Sequence, residues 1–155
     1  MMAPENIHAA GRVLEVHVSE LAGQALNWSV FCAIYKGMQP TINVVEASEH
    51  KMPGAMKPLQ VPGHVSLSYT GAYGVECRWN PQGDWDNGGP LIDKHVLQLK
   101  FYAAESPETA WRSETHDSWA EGPTPLIATC RAIVAAHLGE VVSVPAELVE
   151  NISRQ

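Results

Sequence analysis

A chain of 155 residues is long enough for one domain that buries roughly 70% of its unfolded surface, so a core needs no disulfide or metal staple. Seventeen acidic residues against ten Lys and Arg give a net charge of −7, and no two Lys or Arg are adjacent, which disfavours duplex nucleic acid as a partner. Cys32, Cys77 and Cys130 stand singly in apolar surroundings and read as reduced residues of a cytoplasmic protein, and no segment approaches the ~20 apolar residues of a membrane span.

Residues 1–11 show no periodicity and are expected to form a flexible N-terminus. Leu14, Val16 and Val18 then alternate with polar residues, the pattern of a strand with one covered face. Ser19 is the expected cap of a helix over 20–36, whose apolar stripe runs through Leu21, Ala25, Trp28, Cys32 and Tyr35 before Gly37 stops it. From 38 to 74 four prolines break the chain into an expected inserted loop region, which still holds strand patterns at Ile42–Val44 and Val65–Tyr69. Two further strands are expected at Val75–Trp79 and Leu97–Phe101. Residues 103–122 lack a sustained period and read as loop. The second helix is the best specified: Thr124 as cap, Pro125 at the first position, a stripe of Leu126, Cys130, Ile133 and His137, and Gly139 just past the end. Val142 and Val144 suggest a last short strand before a tail at 147–155.

This order predicts an α+β fold in which two helices pack against a small antiparallel sheet, as a single domain over 12–146.

Two segments combine rigid turn residues with chemistry. Pro81 to Ile92 sets Asp84, Trp85 and Asp86 against a Gly88-Gly89-Pro90 turn, and Gly122 to Ala128 opens the second helix. They read as two lips of one site. Trp85 offers an indole face for stacking, and Gly88 and Gly89 let backbone amides approach a ligand; the plainer reading is a tryptophan closing a sheet edge over a tight turn. Trp79 belongs to the same block. Trp28 reads as core, with Asn27 at the stripe's edge and able to face a pocket. Thr124 and Arg131 share a helix face with unpaired amides at its start, an arrangement suited to an anion; the plainer reading is a capped helix whose Arg131 pairs with a surface carboxylate.

Metal chemistry finds no frame. A calcium loop begun at Asp84 puts Gly88 where an oxygen ligand is needed, and the seven histidines show no zinc spacing. Walker and dinucleotide fingerprints are absent, and His116-Asp117 lacks a nucleophile motif, so no catalytic residue and no cofactor are assigned.

Three blocks resemble the NinX-like phage proteins. Glu20 to Val30 is similar to that family's N-terminal helix, which usually has Asp where this chain has Asn27. Pro81 to Ile92 is similar to its Asp-Trp-x-x-Gly-Gly-Pro-x-Ile block, and Gly122 to Arg131, followed by Leu138-Gly139-Glu140 and Val144-Pro145, to its C-terminal helix and tail. The resemblance implies a small phage or prophage product in the cytosol of an infected or lysogenic bacterium, and it carries no biochemical activity with it. The leading expectation is a noncatalytic accessory protein that binds a small anionic or nucleotide-like ligand, to titrate a host signal or metabolite. The alternatives are a module that engages a host protein through tryptophan-rich loops and a hydrolase of a small phosphorylated substrate.

Overall fold

Seven successive residues cover two helical turns, and in each long apolar helix seven in a row are buried: Ala25 to Phe31 in the first and Ala128 to Val134 in the second. A helix buried on every side needs neighbours on every side. In the computed structural model of the chain, which describes residues 11–102 and 106–150, these helices therefore form an inner layer.

The described residues form ten strands and four helices. The strands are β1 (Val13–His17), β2 (Thr41–Val45), β3 (Ser48–His50), β4 (Leu59–Val61), β5 (His64–Thr70), β6 (Glu76–Trp79), β7 (Gln98–Phe101), β8 (Trp111–Glu114), β9 (Trp119–Gly122) and β10 (Val141–Pro145). The helices are α1 (Gly23–Ile34), α2 (Trp85–His95), α3 (Pro125–Leu138) and a short α4 (Ala146–Glu150). The strands make four antiparallel sheets, ordered β1-β10, β2-β5-β6, β3-β4 and β7-β8-β9.

The expectation of two helices on one sheet is thereby corrected. Helices α1 and α3 pack against each other; α1 also covers β5 and β10, while α3 lies on β8 and β9. The stripe reading fails because Ala33, Ala128, Ala132 and the small polar Ser29 and Thr129 complete the apolar circumference between the larger residues. The same small residues let α3 approach its sheet closely. A Cβ on Gly122 would stand 2.8 Å from the Ala128 amide nitrogen, and the buried Thr129 hydroxyl donates to Ser113 Oγ at 3.1 Å.

Three further expectations change. A 3-10 turn at Val18–Glu20 interrupts the first helix, so α1 begins after Ala22 and Ser19 caps nothing in it. Much of the 106–122 stretch is structured, by a 3-10 turn at Pro107–Thr109 and by β8 and β9. Region 38–74 carries β2 and β5 as expected, and between them an additional β3-β4 hairpin. The N-terminal stretch up to residue 10 and the tail beyond 150 lie outside the described residues.

Ile133 has no exposed surface and sits among the core residues, as its position in the second helix suggested. Ile133→Val is expected to cost about 0.5–1.5 kcal/mol through a lost methylene, read as a lowered midpoint in denaturant with an unchanged slope.

Candidate functional site

The Pro81–Ile92 block folds as a helix start. Asp84 Oδ1 accepts from the Asp86 amide at 2.9 Å and caps α2, and the Asn87 side chain accepts from the Asn80 amide at 2.8 Å. Capping on both sides of the turn overrides the expected Gly-Gly-Pro turn, and the helix runs through Pro90 to His95. Gly88 is required for packing: a Cβ there would collide with the Pro81 carbonyl oxygen and approach Leu126 Cδ2 to 2.6 Å. The two expected lips therefore meet at Gly88 and Leu126 as a closed seam.

Asn27 explains the rest of the block. Fully buried on α1, it donates to Gln24 Oε1 at 3.2 Å and Asn80 Oδ1 at 2.9 Å, and accepts from the Gln82 amide at 3.0 Å. Its carbonyl takes the Trp79 indole N–H at 2.8 Å. Trp79 in turn packs edge-on against Phe31 and Tyr69, and Trp28 is buried nearby in the core. These residues bind α1 to the segment leading into α2. Trp85, by contrast, is 58% exposed on the first turn of α2, beside the half-buried Gly89. Trp85→Ala is expected to leave stability within about 0.5 kcal/mol, as thermal melts would show.

Thr124 Oγ1 accepts from the Ile127 amide at 3.1 Å, and Pro125 offers no N–H, so the start of α3 is already capped. Arg131, nearly two turns further on, points elsewhere than a surface carboxylate. Its Nε donates to the Leu21 carbonyl and its Nη1 to the Glu121 carbonyl, both at 2.9 Å, which ties the end of the 3-10 turn and β9 to α3. Nη2 has no partner among the described residues. Burial pushes the guanidinium's pKa down, and Glu108 partly offsets this by favouring the charged form.

Arg131 also lines a cavity of about 380 Å³. The walls come from four places: His17, Val18 and Ser19 where β1 ends; Glu108 and Thr109 on a 3-10 turn; Ser118 before β9 with Trp119, Ala120 and Glu121 on it; and Ala135 on α3 with Glu140 just past its end. The Val18 amide donates to the Glu140 carbonyl at 2.8 Å and closes one side. Of the residues singled out in the sequence, Arg131 alone belongs to this cavity. Asp84, Trp85, Gly89 and Thr124 lie outside its walls, and Asn27, Trp28, Trp79 and Gly88 are committed to packing. Sequence reasoning missed the remaining wall because about half of it lies in the aperiodic 106–122 stretch and the rest comes from distant parts of the chain. The one hint was Trp119 among Ser and Glu residues, where a loop has little use for an indole.

Among the described residues no three His, Cys, Asp or Glu side chains are placed to hold a metal ion, and no helix is long and apolar enough to cross a membrane. In comparison with known proteins, the family model described as Bacteriophage P22, NinX matches residues 17–137. No curated protein matches the chain.

Proposed function

The chain belongs to the NinX family of phage proteins, and on that premise we propose that it is a noncatalytic accessory protein that binds a small polar molecule in the cavity beside Arg131. The observation that carries this reading is the cavity itself, a hollow of about 380 Å³ in which a nearly buried guanidinium, hydroxyls, carboxylates and an indole converge. Small-molecule sites have this mixture of apolar wall and few fixed polar groups. The expected nucleotide-like anion at the start of α3 draws less support, since Thr124 and Asp84 already cap their own helices. Binding in the cytosol of an infected bacterium would let the protein withdraw a host metabolite or signal.

Mass spectrometry of small molecules released from protein purified out of infected cells tests the reading. One released compound that raises the melting temperature when added back is the expected result. A clean release together with no stabilisation by a metabolite panel would turn the account toward the second reading, a surface for a host protein. That alternative rests on the exposure of Trp85, Phe101 and Trp119.

A further inference from the structure

We infer, resting on the cavity as the ligand site, that its occupant is a small zwitterion of net positive charge, with one carboxylate and two cationic nitrogen groups: the chemistry of a basic amino acid. The walls hold three carboxylates, Glu108, Glu121 and Glu140, against the single guanidinium of Arg131. None of the three makes an ion pair among the described residues. The net negative charge of this wall favours positive charge on whatever enters the hollow.

Acidity alone would suit any cation, and Arg131 narrows the choice. It is 9% exposed, lines the cavity and is held by two carbonyls through Nε and Nη1, which leaves Nη2 without a partner among the described residues. A carboxylate there makes a charge-assisted hydrogen bond with a pre-oriented partner. A bare polyamine would leave Nη2 facing a cation, and a polyphosphate would face the three glutamates. Between the two ends, Val18, Ala120 and Ala135 supply apolar wall for a methylene stem. Trp119 adds an indole to the lining, and the Arg112 guanidinium carbon lies 3.8 Å from its ring centroid.

Titration calorimetry of the full chain with L-arginine and L-lysine tests this, with agmatine, which lacks the carboxylate, and adenosine monophosphate as comparators. At least one basic amino acid should bind, agmatine at least tenfold more weakly, and the nucleotide not measurably. Glu108→Gln should weaken that binding at least tenfold with an unchanged melting temperature, because Glu108 sits exposed on a 3-10 turn. No binding by either amino acid, or equal binding by agmatine, overturns the ligand class while leaving the cavity available to another molecule. Binding that is indifferent to both Glu108→Gln and Trp119→Ala, with both variants folded, overturns the cavity as the site.

Discussion

Asn27→Leu is expected to destabilise the fold by about 3–5 kcal/mol, among the largest effects of any single substitution in the chain. The apolar replacement is close in size, so the loss comes from unmade hydrogen bonds: the Gln82 amide, Gln24 Oε1 and Asn80 Oδ1 all lose their partner. Each buried group left unsatisfied costs about 1–3 kcal/mol, reduced where water can reach it. Asn27→Asp should be much milder. An aspartate still accepts from Gln82, and the Gln24 and Asn80 amides can rotate to donate to it. Urea denaturation of the three proteins measures the difference, and a loss below about 1 kcal/mol for Asn27→Leu would show that the network does not hold α1 to the entry of α2.

Arg131→Met is the second large effect, expected at about 2–4 kcal/mol. Methionine keeps much of the stem's packing, so the penalty falls on the Leu21 and Glu121 carbonyls, each of which loses a charged donor. Part of the loss is returned because a buried guanidinium no longer has to be desolvated; this burial is the same cause that lowers its pKa. The measurement is a thermal melt with calorimetric enthalpy. A change under about 0.5 kcal/mol, as at an ordinary surface position, would mean that Arg131 does not tie the 3-10 turn and β9 to α3.

Local chemistry was legible in the sequence where one residue type settles one element. Thr124, Pro125 and Gly139 bound α3 as expected, with Gly139 in the left-handed region at φ +91°, and alternation placed β1, β2, β5, β6, β7 and β10. Burial on the second side of the helices was not legible, because it is made by alanine, serine and threonine, whose signal in an apolar pattern is weak. For the same reason β8 and β9 read as loop: their covered positions are Ser113 and Gly122, which admit α3 closely without looking apolar. The Asp84–Pro90 block was chemically conspicuous because its groups are polar and rigid, yet most of them serve a cap, a seam and the Asn27 network. The cavity escaped notice because its walls come from separate stretches of chain, from His17 to Glu140, that no local spacing connects.

The location of the ligand is the claim most open to direct measurement. Backbone amide shifts in a nitrogen-15 correlation spectrum, followed while the molecule released from purified protein or L-arginine is added, would place it residue by residue. The largest shifts are expected at Ser19, Ala120, Glu121 and Ala135, around the Arg131 cavity. Shifts confined to Trp85, Gly89 and Leu126, with the cavity amides unmoved, would contradict it.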